Sequence, residues 1–352
     1  MMTSPASSSS YARAGDRKML PRSESRVASL GLTFRLARSD ESDRQHFCDL
    51  SNSLYARKVS PAYYDWQFFQ TPHPCLLSFA LTETGELAGC YGFHLFDAGP
   101  NARLGMALDI MVAPPFQGKG VFRILADFAT RQISPYKPVA IYVMANQRAE
   151  GAHIHGLGWE RINVLVNHVC NTEIAERLKS QRIKFVKVDD LGAYQTDLSE
   201  LLRIQMKRKL LTIGRSTEFL IWRFLQNQRY RYDFYRCMLG GRLFGYLVLK
   251  TFRDPHAGEL FGDIVDLLWA KDDPNLLTEM LMFALNHFYR QGIARSTTWL
   301  QTGTLFDQLG RRIGFEPTQR RRYLCGKALD TTYRWLMDPA RWFITMVDSE
   351  VY

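Results

Sequence analysis

The chain contains one pattern twice. Trp66-Gln67-Phe68-Phe69-Gln70 is echoed by Trp222-Arg223-Phe224-Leu225-Gln226, an offset of 156 positions. At the same offset Glu86-Leu87-Ala88-Gly89 stands against Arg242-Leu243-Phe244-Gly245, and Phe96 against Phe252. Leu108-Asp109-Ile110-Met111-Val112-Ala113 then matches Val265-Asp266-Leu267-Leu268-Trp269-Ala270 at 157, and Gly158-Trp159-Glu160 returns to 156 against Gly314-Phe315-Glu316. Each match is weak alone, but several in one order, with a one-residue slip, mark a duplicated unit. A duplication restricts the fold severely, because both halves must reach the same architecture. The 352 residues also suit two cores better than one.

The hydrophobic periodicity agrees in both halves. In the first, strands are predicted at Leu32–Leu36, Leu76–Thr82, Leu87–Phe96, Leu104–Val112, Val139–Met144 and Arg161–His168. Helices are predicted from Asp40 to Leu54, around Tyr63, Trp66 and Phe69, and from Gly120 to Gln132. The second half repeats that order with strands at Lys184–Val188, Phe234–Leu239, Leu243–Thr251, Leu260–Trp269 and Thr297–Leu300, and a helix at Leu276–Tyr289. Hairpins followed by a strand–helix–strand crossover give an α/β fold, each half a mixed sheet flanked by helices. The expected boundaries are a disordered leader over 1–31, units at 32–170 and 183–327, a linker helix at 171–182 and a C-terminal extension at 328–352.

Composition narrows the function classes. The 46% hydrophobic and 23% charged content is that of an ordinary globular protein. No apolar run approaches the roughly 20 residues that span a bilayer, and the Ser-rich N-terminus holds no signal-peptide core, so a cytoplasmic location is expected. Six cysteines are scattered without metal-ligand or CxxC spacing, so no metal is expected. The net charge of +10 includes clusters at Lys207-Arg208-Lys209 and Arg320-Arg321-Arg322. No nucleic-acid-binding motif accompanies them, so they are read as solvated faces and counter-charge for an anionic ligand, with no specific nucleic-acid partner.

The stretch Leu108-Asp109-Ile110-Met111-Val112-Ala113-Pro114-Pro115-Phe116-Gln117-Gly118-Lys119-Gly120-Val121-Phe122 carries the chemistry. A strand runs into a glycine-rich turn that opens a helix, so free N–H groups and a positive dipole end face an anion. Neither GxxxxGK[ST] nor GxGxxG is present. The stretch resembles the pyrophosphate loop of the GNAT acyltransferases, [QR]-x-x-G-x-[GA] after a strand ending Val-x-Pro. Gln117 and Gly120 match its first two defined positions, and Phe122 departs at the third while keeping the backbone N–H that donates there. With the strand order and Gly158-Trp159, the resemblance covers residues 34–170 and, more faintly through the repeat, reaches Cys325.

The resemblance implies two tandem GNAT-like domains, the first binding acetyl-CoA or another acyl-CoA as co-substrate and the second degenerate. It also implies transfer of an acyl group to a small-molecule amine: an amino sugar or glycan precursor, or a small peptide or amino acid. A Fem-type aminoacyl-tRNA-dependent peptidyltransferase and a catalytically weak CoA-binding protein are the alternatives. The cofactor-binding residues implied are Met111, Val112, Gln117, Gly118, Lys119, Gly120, Val121, Phe122 and Asn146. Asp109, expected on the strand face of Gly105, Ala107 and Met111, is either a base or a strand hydrogen-bond partner like Asp266. Asn146 ends the next strand as a pantetheine contact or a turn residue, and with Asp109 and His155 it makes up the candidate catalytic set. Ile154 stands where the family often has a general-acid Tyr, so His153 and His155 become candidate donors to the leaving thiolate. Trp66 and Trp222 read as core anchors and His94 as structural. In the second half Asp272-Asp273-Pro274 replaces the glycine loop, which argues against a second CoA site.

Overall fold

The computed structural model describes residues 30–349 except 57, 99–101, 178–181, 208–210, 212–213 and 255–257. The expected leader up to residue 29, four residues of the expected linker helix and Arg208-Lys209 of one basic cluster therefore lie outside the described residues.

The first half runs β1 (Thr33–Leu36), α1 (Glu41–Leu54), α2 (Pro61–Phe68), β2 (Cys75–Leu81), β3 (Leu87–Asp97), β4 (Arg103–Val112), α3 (Val121–Ile133), β5 (Ala140–Ala145), α4 (Gln147–Gly151) and β6 (Glu160–Asn171). The second repeats it: β7 (Lys184–Val188), α5 (Gln195–Lys207), α6 (Thr217–Leu220), β8 (Asp233–Leu239), β9 (Arg242–Arg253), β10 (Leu260–Trp269), α7 (Pro274–Arg290), β11 (Arg295–Leu300), α8 (Leu305–Ile313) and β12 (Glu316–Ala328). Helix starts follow ordinary capping chemistry. Asp40 accepts from the Asp43 N–H at 2.9 Å, and Ser60 caps α2 ahead of Pro61.

The twelve strands of the described residues form one sheet in the order β1-β2-β3-β4-β5-β12-β6-β11-β10-β9-β8-β7. The order maps onto itself when the halves are interchanged, with a pseudo-two-fold between β12 and β6. The last strand of each half has crossed to the other: β12 pairs antiparallel with β5, β6 pairs antiparallel with β11, and the two pair with each other. Trp66 and Trp222 stack beside this axis at 4.7 Å between ring centroids. Each indole N–H donates to the other's backbone carbonyl, at 3.0 and 2.9 Å. Both are buried, as core anchors should be.

The sheet separates the apolar clusters. α3 covers one face of the first half, with Leu125, Ala129 and Ile133 against β2 and β3, and α7 covers the matching region of the second. The other face is a core shared by both halves, holding Phe47, Trp66, Trp222 and Tyr246. The expected C-terminal extension returns into this core, burying Leu336, Trp342, Ile344, Met346 and Val347. Thr172–Arg177, within the expected linker helix, is a 3₁₀ stretch.

One strand face departs from its reading in sequence. Asp109 has φ +46°, and the β3–β4 register slips between Cys90 and Gly92. This bulge places two residues opposite one and reverses the alternation beyond it. Met106, Leu108 and Met111 therefore face the shared core, while Ala107, Ile110 and Val112 face α3. Met111 does not share a face with Gly105 and Ala107 as strict period-2 alternation requires.

Candidate active site

The site begins where two parallel strands part. β4 and β5 pair only at Leu104↔Ala140, Gly105↔Ile141 and Met106↔Tyr142. Beyond these, β5 stays bound on its other edge to β12 from Ala328↔Ala140 to Tyr323↔Ala145. Beyond Met106, no strand among the described residues pairs with the β5-facing edge of β4, beside the Asp109 bulge. A strand edge presents N–H and C=O groups to an extended amide-bearing ligand.

The glycine loop closes the mouth of this cleft. Gly118 and Gly120 have φ +72° and +88°, which a side-chain-bearing residue adopts only with strain. Gly120 is the N-cap of the 13-residue α3, and no side chain caps its first N–H groups. They are left to an anion. Gln117 spans the mouth: its Nε2 donates to the Val112 carbonyl at 2.9 Å, and its Oε1 accepts from Arg148 Nη2 at 3.1 Å. Lys119 stacks 5.9 Å over the Phe116 ring. Arg148 escaped the sequence reading; its signal was a basic residue two positions past the strand-ending Asn146. Phe122 packs edge-on against His153 at 5.3 Å, so its bulk fills core space and its backbone still belongs to the helix start.

The other candidates separate by environment. Asp109 is half-buried at the bulge, and its backbone carbonyl accepts from the Cys90 thiol at 3.1 Å. Asn146 caps α4, its Oδ1 accepting from the Ala149 N–H at 2.8 Å, which is the turn-forming role. His155 is exposed on the turn after α4. His153 is buried, bonded to Tyr91 Oη at 3.1 Å and the Ala149 carbonyl at 2.7 Å, and burial pushes its pKa down, so it is a core residue.

Below the cleft, on the face away from α3, a small pocket lies between the halves. His94, Met106 and Tyr142 stand side by side across β3, β4 and β5 at the point where the strands part. Gln67 from α2 and Phe219, Trp222 and Arg223 from the second half complete its walls with Ser349.

The equivalent places of the second half are closed. β10 and β11 also pair over three residues and then part. At α7, however, Asp273 Oδ1 accepts from the N–H groups of Asn275 and Leu276, and Pro274 removes another donor. Asp266, the counterpart of Asp109, is fully buried. It pairs with Arg215 at 3.1 Å and accepts from Tyr246 Oη at 2.6 Å and Thr345 Oγ1 at 2.7 Å. Where the first half has His94, Met106 and Tyr142, the second has Lys250, Asp263 and Thr297, joined by a 3.1 Å ion pair and a hydrogen bond.

Comparison with known proteins agrees with this geometry. Residues 42–159 match the profile described as the acetyltransferase (GNAT) family. The first half thus carries a GNAT-type domain. Solved structures similar to it include a GCN5-related N-acetyltransferase from Anabaena variabilis, at 15% identity and TM-score 0.63, covering 85% of this chain and 73% of that one. A tandem GNAT protein from the clavulanic acid biosynthesis pathway aligns at 14% identity and TM-score 0.59 over 84% of this chain and 98% of its own. Saccharomyces cerevisiae N-myristoyltransferase with bound myristoyl-CoA aligns at 12% identity and TM-score 0.58, covering 84% and 82%. A search of the curated proteins returns no match. These likenesses show a tandem GNAT-like fold, and no helix among the described residues is long and apolar enough to cross a membrane.

Proposed function

We propose that this protein transfers an acyl group, acetyl in the first instance, from one acyl-CoA bound in the first half to the primary amine of a small acceptor such as an amino sugar, short peptide or amino acid. The carrying observation is the contrast between the two halves. One has parted strands ending at an uncapped helix N-terminus with two positive-φ glycines; in the other, the equivalent helix is capped by Asp273 and the cleft residues are paired off.

The reaction is a direct aminolysis. The uncharged amine attacks the thioester carbonyl, the C–N bond forms, the C–S bond breaks and the thiolate leaves. The proton lost by nitrogen passes to Asp109, directly or through water, and His155 supplies the proton taken up by the leaving thiolate. The β4 edge beside the bulge offers backbone N–H to the developing oxyanion. Gln117, Gly118, Lys119, Gly120, Val121 and Phe122, with Arg148, hold the pyrophosphate through backbone N–H groups and positive charge. Met111, Val112 and Asn146 border the pantetheine arm. Holding the amine against the thioester supplies much of the rate.

The test is calorimetry with acetyl-CoA, followed by mass spectrometry of CoA release and product formation with a mixed amine library. One acetyl-CoA per chain and an N-acetylated product are expected. Two equivalent sites, or release of CoA without an N-acylated product, would contradict the proposal.

A further inference from the structure

Resting on that proposal, we infer that the small pocket between the halves, with room for a water-sized group, receives the amino group of the acceptor, that the Gln67 side-chain carbonyl accepts a hydrogen bond from the reacting nitrogen, and that the pocket selects weakly basic primary amines over strongly basic alkylamines. Gln67 is 1% exposed, and its Oε1 has no hydrogen-bond partner among the described residues. A buried, unpaired carbonyl oxygen is costly, and one that lines a pocket is placed to accept from a ligand or a bound water. The pocket adjoins Met106 and Tyr142, where the cleft for the thioester arm ends. At the offset of the repeat, Gln67 corresponds to Arg223, which lines the same pocket from the other half. The duplication has thus built a first-half site with second-half walls.

The electrostatics of those walls exclude an ammonium group. Arg223 is the cationic residue of the lining, and its Nη2 donates to the Ser349 carbonyl at 2.6 Å. Asp348 is the carboxylate of the lining, and each of its oxygens accepts from Arg215 at 2.9 Å. His94, bonded through Nε2 to Thr71 Oγ1 at 2.7 Å, is uncharged: burial, then the neighbouring His73 and Arg223, push its pKa well below the usual range. An ammonium ion would lose its hydration without gaining an anion. An uncharged amine instead gains Gln67 Oε1 and the faces of Phe219 and Trp222. At pH 7.5 an α-amine with a pKa of about 7.7–8.0 is roughly a third uncharged, whereas a lysine-like amine near 10.4 is uncharged in roughly one molecule per thousand.

The experiment uses the full chain with acetyl-CoA and three probes: glucosamine, the α-amine of an alanyl dipeptide, and butylamine. In wild type at pH 7.5, at least one weakly basic probe should exceed butylamine in kcat/KM by about tenfold or more. Gln67→Leu should raise the acceptor KM at least about tenfold while acetyl-CoA affinity is unchanged and Tm is equal or higher, because the unpaired oxygen is gone. Gln67→Glu, of the same size, should move preference towards butylamine by placing a carboxylate against an ammonium. A wild-type KM in Gln67→Leu, a fall in Tm that accounts for its loss, preference for butylamine in wild type, or acetyl-CoA binding with turnover of neither weakly basic probe would each overturn the assignment. Failure to bind acetyl-CoA would remove the acyl-transfer proposal first, and this one with it.

Discussion

Asp109 and Asp266 occupy matching places in the two halves, yet the structure gives them different surroundings. Asp266 is locked among Arg215, Tyr246 and Thr345 with no exposed surface. Asp266→Asn should therefore cost stability towards the lower end of the about 3–5 kcal/mol seen for broken buried pairs, since Arg215 keeps Asp348, and a lower urea midpoint measures it. Asp109 is half-buried beside the parted strands at φ +46°, a conformation that Asn also tolerates. Asp109→Asn should keep Tm and acetyl-CoA affinity while turnover falls by about 10²–10⁴, the usual loss of an acid–base group. Unchanged turnover per folded molecule would remove it from the chemistry. The thiols offer a complementary check. Burial raises Cys48 and Cys170 to about 11 and Cys325 to about 12, so none is an available thiolate at neutral pH. Iodoacetamide at pH 7.5 should label these three slowly and leave acyl transfer intact, as peptide mapping and an activity assay would show.

At the scale of elements, the decisive contrast is between the starts of α3 and α7. Gly118 and Gly120 turn the chain so that the N-terminus of α3 is bare, whereas Asp273 and Pro274 finish α7 internally. Gly120→Asp should abolish acetyl-CoA binding in calorimetry, because it strains a φ of +88° and sets a carboxylate against the pyrophosphate. Residual binding of wild-type strength would locate the cofactor elsewhere. This contrast was legible in the sequence because glycine, proline and aspartate have unambiguous backbone consequences. The strands from β1 to β11 were legible for a similar reason, since apolar periodicity survives divergence between repeats; β12 was not read, because its first half, Glu316-Pro317-Thr318-Gln319-Arg320-Arg321-Arg322, has no apolar periodicity. The bulge was not. An extra residue in β4 leaves the apolar run continuous, and only pairing with β3 reveals that Met111 has changed face. Arg148 was also missed, because a lone arginine past a strand end has no pattern; its meaning comes from Gln117 across the cleft.

The exchange of β6 and β12 belongs to the whole molecule and was illegible for a different reason. Two strands of similar character, each following the same helix in its own repeat, satisfy either half's open edge equally well in sequence. The choice appears only in the pairing of β5 with β12 and β11 with β6. Its consequence is that neither half is complete. Residues 30–182 alone would leave β5 and β6 without β12 between them, and would uncover the face of Trp66 that stacks on Trp222. Bare strand edges and a large exposed aromatic face drive aggregation rather than folding. We therefore expect residues 30–182 and 183–352, produced separately, to be insoluble or molten, with no cooperative thermal transition. Produced together in one cell, they should co-purify as a one-to-one complex that binds acetyl-CoA, because every strand again has its partner. A soluble, cooperatively melting first half that binds acetyl-CoA alone would show that β6 can return to β5 without β12. In that case the second half would be an addition to a complete domain, and the acceptor pocket the part of the site most dependent on it.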